Sequence, residues 1–204
     1  MKKIITSTII AAGTALLLTS CGTQAHYIDA SSNRGLVTTD EINFKDWQIS
    51  AEKGIKSLLS SGVLDRKDGR KTIVMVSTVK NSTTQHINTN ILTNKIRQAI
   101  LRSGKALTTT AVGGNGPEDR ASKQVRNLEE DEDFNQATVK KRGTLIAPDM
   151  SLSGEIIEQK TTSGRKKEAY FFIHMVMTDL KTGFAVWEEN VEIAKQEEKA
   201  LLGW

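Results

Sequence analysis

The spacing of apolar positions changes along this chain, and each change marks an element. Phe44, Trp47, Ala51, Ile55 and Leu58 recur at intervals of three and four, which is one stripe of a helix. Asp40 or Asn43 can cap its start, and Gly62 ends it. Ile73-Val74-Met75-Val76 is an unbroken apolar run of the kind that forms a buried strand. A helical stripe returns from about Thr89 to Ser103, carrying Ile91 or Leu92, Ile96, Ala99 and Ile100, with Asn88 as cap and Gly104 as stop. Ala106 to Ala111 reads as a second strand. Strand, helix and strand in that order imply a parallel pair joined by a right-handed crossover.

The middle of the chain is less regular. Gly113 to Gly116 is a turn, and Pro117 stands where a helix favours its first residue. Glu118 and Asp119 suit the first-turn dipole, so a third helix is expected to about Leu128. An acidic run follows, Glu129 to Asp133, then a short helix ending at Arg142-Gly143. The last third alternates with period two. Met150 to Ile157, Glu168 to Thr178 and Phe184 to Ile193 read as strands. Thr162-Ser163-Gly164 and Lys181-Thr182-Gly183 turn them. The expected fold is α/β: one mixed sheet of about five strands, closing in an antiparallel meander, packed on three to four helices.

The longest strand separates two faces. Phe171, Ile173, Met175 and Met177 make an all-apolar side for the helices, and Trp47 and Leu58 are expected to bury against Phe171 and Ile173. Tyr170, Phe172, His174, Val176 and Thr178 point the other way. Ser151 and Ser153 should join them from the preceding strand, and Val186 and Glu188 from the following one. No remaining segment is expected to cover this second face. An open sheet face with aromatic side chains suits protein binding, which makes Ser153, Tyr170, Phe172 and His174 the candidate partner-binding residues.

Composition narrows the function. The chain has 204 residues, 38% hydrophobic and 25% charged, the balance of a globular protein. Aromatic residues are 5%, too few for a large aromatic-walled cofactor pocket. The net charge of +4 lacks the dense basic stripe of a nucleic-acid binder. A single cysteine excludes a disulfide framework and multi-cysteine metal sites. That cysteine has a specific setting. Met1-Lys2-Lys3 is a basic leader, Ile4 to Leu18 an interrupted apolar stretch, and Leu18-Thr19-Ser20-Cys21 resembles a bacterial lipobox. The expected organisation is a signal peptide over 1–20, a lipidated tether over 21–39 and one α/β domain over 40–204. Acylation at Cys21 would anchor the chain stably, and Gly22 after it resembles an outer-membrane address. Gly22 to Thr39 would span about 60 Å fully stretched and about 23 Å as a flexible coil.

Other chemistry finds little support. Gly113-Gly114-Asn115-Gly116 matches no phosphate-loop pattern, and the acidic residues after it would repel phosphate. The run Glu129 to Asp133 lacks the ligand spacing of a calcium loop. No GxSxG elbow is present, and His26, His86 and His174 have no carboxylate or cysteine at a catalytic spacing. The clusters Lys140-Lys141-Arg142 and Arg165-Lys166-Lys167 read as a helix terminus and a hairpin tip. Contact of these clusters with an anionic wall polymer or acidic partner is a secondary reading. No enzyme activity, cofactor, metal, nucleic acid or small-molecule substrate is expected.

Three segments carry a family resemblance: Val76-Ser77-Thr78-Val79-Lys80-Asn81-Ser82-Thr83, Ala147-Pro148-Asp149-Met150-Ser151-Leu152-Ser153-Gly154, and Asp179-Leu180-Lys181-Thr182-Gly183-Phe184-Ala185-Val186-Trp187-Glu188. With the lipobox and the helix before Gly104-Lys105, the chain from Phe44 to Lys195 resembles the LpoB-type lipoproteins. The resemblance implies a fold like the amino-terminal domain of TolB-like proteins. It also implies an outer-membrane activator of a bifunctional peptidoglycan synthase, a penicillin-binding protein, facing the periplasm. The tether departs from the family pattern, being short and free of proline. Two other readings compete: an assembly lipoprotein of a secretion or envelope complex, and a periplasmic enzyme.

Overall fold

The computed structural model describes residues 25–30, 32, 35–113 and 118–200. Cys21, and most of the expected turn before the third helix with its Pro117, lie outside the described residues. The chain divides into two units, Met1–Gly35 and Leu36–Trp204. In the first, the described residues form only turns, bends and irregular chain, with the Ser32 hydroxyl donating to the Asp29 carbonyl at 2.7 Å.

The second unit is an α/β domain. Helix α1 (Phe44–Ser60) starts where Asn43 and Asp46 close a reciprocal capping box. The Asn43 side chain accepts from the Lys45 and Asp46 amides, and Asp46 accepts from the Asn43 amide at 2.7 Å. Of the two caps allowed by the spacing, Asn43 is therefore the one used; Asp40 pairs with Lys167 instead. Strand β1 (Thr72–Ser82) follows, then α2 (Asn90–Ser103), β2 (Ala106–Thr108) and a single turn, α3 (Ala121–Gln124). The meander is β3 (Met150–Ser163), β4 (Lys166–Asp179) and β5 (Ala185–Glu198). At the start of α2, Asn88 accepts from the Asn90 amide at 3.1 Å, and Gly104 ends the helix in the left-handed region.

The sheet order is β2-β1-β3-β4-β5. β1 runs parallel to β2, and β3, β4 and β5 are antiparallel, as the sequence implies; β1 also runs parallel to β3. Trp47, Ala51 and Leu58 of α1 and Leu92, Ile96 and Ile100 of α2 share one buried cluster with Val74, Leu152, Ile156, Ile173, Met175 and Met177. Both helices thus cover one face of the sheet, and Trp47 and Leu58 share a buried cluster with Ile173, though not with Phe171. Phe171 is fully buried and lies under a cation, with the Lys195 ammonium 5.5 Å from its ring centre.

Several expectations need correction. β2 stops at Thr108 rather than Ala111. The Thr109 hydroxyl accepts from the Ala111 amide, a local bond that competes with the ladder. The third helix shrinks to α3 and a 3₁₀ segment, Val125–Glu130. No helix ends at Arg142; that stretch forms turns and irregular chain. The reason is burial. Among the described residues, none between Ala106 and Leu152 is buried, so no packed apolar face holds a helix there. The meander strands, in contrast, outrun their apolar patterns. β3 continues through Glu158 to Ser163 because each residue pairs with β4, and Gly164 at φ +59° supplies the first position of a two-residue hairpin turn.

Candidate partner-binding face

The face opposite the helices is built by register. Across β3, β4 and β5 its rows are Ser153–Val176–Glu188, Glu155–His174–Asn190, Ile157–Phe172–Glu192 and Gln159–Tyr170–Ala194. Ser153, Tyr170, Phe172 and His174 therefore stand together on adjacent strands, as their alternation implies. No outward residue of these rows is buried. Tyr170 is 38% exposed and Ile157 is 43% exposed, while Ser153, Phe172 and His174 are half-buried between neighbours. Val186 does not join Glu188 in the ladder. It is the extra residue of a bulge, since Met177 pairs with Trp187 and Thr178 with Ala185.

Gly154 fixes how closely β3 approaches β4 under this face. A Cβ there would lie 2.5 Å from the His174 carbonyl oxygen, so only glycine admits the pairing. It sits beside a bulge in β1, where the pairing slips between Val76 and Val79.

The centre of the face is acidic, with Lys80 and Lys166 at its edges. Glu155 accepts from the Lys80 ammonium at 2.8 Å and the Ser82 hydroxyl at 2.5 Å. The Lys80 bond, then the Ser82 bond, hold its carboxyl below the usual glutamate value. His174 Nε2 lies 3.4 Å from a Glu188 oxygen. The Tyr170 hydroxyl donates to Glu168 at 3.3 Å, and the Gln196 amide donates to the other Glu168 oxygen at 2.7 Å. Among the described residues, Glu168, Glu188 and Glu192 have no lysine or arginine partner. The sequence reading missed Glu155, Ile157, Glu168 and Glu192 as members of this face. Their signal was the same two-residue alternation, extended across strands once the register is known.

The face presents aromatic rings and carboxylates side by side. No hydrogen bond joins Ser153 to His174 among the described residues, and Ser153 stands opposite Val176. No group of three or more His, Cys, Asp or Glu among them is placed to hold a metal. No helix among them is long and apolar enough to cross a membrane. The basic clusters lie off this face's centre. Arg165 and Lys167 engage Glu198 and Asp40, and Arg142 pairs with Glu130 in irregular chain rather than at a helix end.

A family model described as peptidoglycan-synthase activator LpoB matches residues 46–193. Among solved structures, the LpoB C-terminal domain from Escherichia coli is 15% identical, with 72% of this chain and 98% of that chain covered and a TM-score of 0.40. The corresponding domain from Salmonella enterica is also 15% identical, covering 72% and 98%, with a TM-score of 0.41. The PelC dodecamer from Paraburkholderia phytofirmans is 15% identical over 61% of this chain and 71% of that one, with a TM-score of 0.31. No significant match was found among curated protein sequences.

Proposed function

Because the chain belongs to the peptidoglycan-synthase activator LpoB family over residues 46–193, we propose that it binds and stimulates a bifunctional peptidoglycan synthase through the open face of its sheet. The observation that carries this reading is the row of Tyr170, Phe172 and His174. These side chains stand outward from the middle of a 14-residue strand whose other side is buried from Ala169 to Met177. Aromatic groups held on a paired strand lose little entropy on docking, which makes them good anchors. Stimulation is allosteric: binding favours an active state of the synthase, by no more than the difference in affinity for its two states. The protein itself is not an enzyme.

The same reading covers the N-terminal segment. Residues 1–20 are a lipoprotein signal peptide, Cys21 carries the lipid, and residues up to 39 tether the domain beneath the outer membrane on its periplasmic side. With about 23 Å of average reach in the tether, the synthase must extend toward the activator.

The test is a glycan-polymerisation assay with purified synthase, comparing wild type with Tyr170→Ala/His174→Ala. The double variant should keep the wild-type circular dichroism and melting temperature, yet bind at least tenfold more weakly and lose stimulation. Wild-type stimulation by a folded double variant would refute the face. An unfolded double variant would mean these residues are core.

A further inference from the structure

The open face carries more than aromatic side chains. Glu168, Glu188 and Glu192 bracket Tyr170, Phe172 and His174 on the same side of β4 and β5. None of the three has a lysine or arginine partner among the described residues. Glu188 meets only the His174 ring, and Glu168 meets only the neutral Tyr170 and Gln196. Glu192 stands opposite Phe172 with no ion pair. The chain has 28 lysines and arginines against 24 acidic residues, and several carboxylates elsewhere are neutralised within the domain: Asp68 and Asp149 by Arg66, Glu158 by Lys160, and Asp46 by Lys195. Glu155, at the β1 side of the face, is likewise matched by Lys80. Among the described residues, acids without a lysine or arginine partner also occur in the connection, Glu132 and Asp133 among them, but Glu168, Glu188 and Glu192 are the ones that flank the aromatic row.

We infer that the occupant of this face is a cationic protein surface, one that sets lysine or arginine side chains against Glu168, Glu188 and Glu192 while an apolar group seats on Tyr170, Phe172 and Ile157. This rests on the face being the docking site proposed above, and names the chemistry of its partner. Three arguments select that occupant. Complementary charge steers encounter and penalises like-charged surfaces. A second copy of the same face would place glutamates against glutamates. An anionic wall polymer would meet the same repulsion, so any contact with it falls to the basic clusters. Arginine gains further here, because its guanidinium can stack on Tyr170 while pairing with Glu168.

The experiment measures binding of purified bifunctional peptidoglycan synthase from the same organism by biolayer interferometry at about 50 and 300 mM salt. The variants are Glu188→Lys/Glu192→Lys, the size-preserving Glu188→Gln/Glu192→Gln, and an off-face control with equal charge change, Glu130→Lys/Glu132→Lys. The on-face reversal should weaken binding at least tenfold at low salt, the glutamine pair less, and the control not at all. Wild-type affinity should fall with salt, and the reversed variant should lose most of that dependence. Unchanged or tighter binding by both on-face variants would overturn the inference, as would an equal loss in the control. If Tyr170→Ala/His174→Ala still weakens binding in that case, the face survives and only its charge preference fails. If neither pair of changes affects binding, the docking face itself is wrong. The glutamine pair, which adds no charge, guards against a reversal that merely unfolds the domain.

Discussion

Replacing Lys195 by methionine removes one half of an ion pair that joins the last strand to the first helix. The Lys195 ammonium donates to Asp46 at 2.5 Å and to the Glu41 carbonyl at 2.6 Å, and both charged side chains are only 7% exposed. Breaking a buried pair by removing one partner costs about 3–5 kcal/mol, because the other charge stays desolvated. Asp46 retains some compensation. It keeps the Asn43 amide bond, and it lies in the first turn of α1, where the helix dipole favours an anion. Methionine keeps the packing of the lysine stem over Phe171 but loses the cation above the ring. These terms place the expected loss near the lower end, about 3 kcal/mol. For a domain of this size that corresponds to a fall in Tm of about 6–12 °C. Urea denaturation at pH 7 measures it directly. Asp46→Asn should also destabilise, and the double variant should lose less than the sum of the singles, since the two groups act on each other. A Lys195→Met protein within about 1 kcal/mol of wild type would refute the claim that this pair is desolvated and holds α1 to β5.

Gly154→Ala should destabilise by about 1–3 kcal/mol in the same assay, because its Cβ meets the backbone oxygen of His174 at 2.5 Å and the strands must part; an unchanged midpoint would show that β3 and β4 are spaced more widely. The Glu158 side chain is only 4% exposed, which pushes its carboxyl up, but bonds from Lys160 and from the Thr84 side chain and amide outweigh this and leave it below its ordinary value of 4.5. Its stabilisation is therefore present above that value and is lost as the pH falls through the lower folded value. Glu158→Gln should melt below wild type at pH 7, the gap closing as the pH drops below 4.5; thermal melts from neutral to acid pH check this, and a constant gap would refute it. Cys21→Ser should abolish incorporation of a metabolically labelled fatty acid, and label retained by the serine variant would sink the lipobox reading.

What was legible in the linear chain was what a period can encode. The stripe of α1 and the alternation of β4 each bury one side against a continuous core, so every second or fourth residue reports the same environment. Trp47, Leu58, Phe171 and Ile173 were found this way, as were the outward Tyr170, Phe172 and His174. The 106–152 connection was misread because its pattern was filled from turn chemistry and charge, while no buried face exists there to stabilise a helix. The Asp46–Lys195 pair was invisible for a different reason. Each residue alone looks like solvated surface, and only the antiparallel return of β5 brings them together. Glu192 likewise joins the face only through the pairing of β5 with β4, whereas Glu168 follows from the alternation of β4 itself.

The clamps around the domain entrance also have a mechanical meaning. The segment ahead of α1 is gripped at successive points: Asp40 by Lys167, its carbonyl by the Gln85 amide at 2.5 Å, the Glu41 carbonyl by Lys195, and the Ile42 amide by the Gln85 side chain at 3.0 Å. These partners sit on β4, β5 and the loop after β1, and Glu158 of β3 holds that loop through Thr84 and Gln85. A pull on the chain ahead of residue 40 is thus shared among the meander strands and that loop before it reaches the first turn of α1. Tension from an anchored N-terminus would load these polar contacts first and, through Lys195, which also holds Asp46, the first turn of α1.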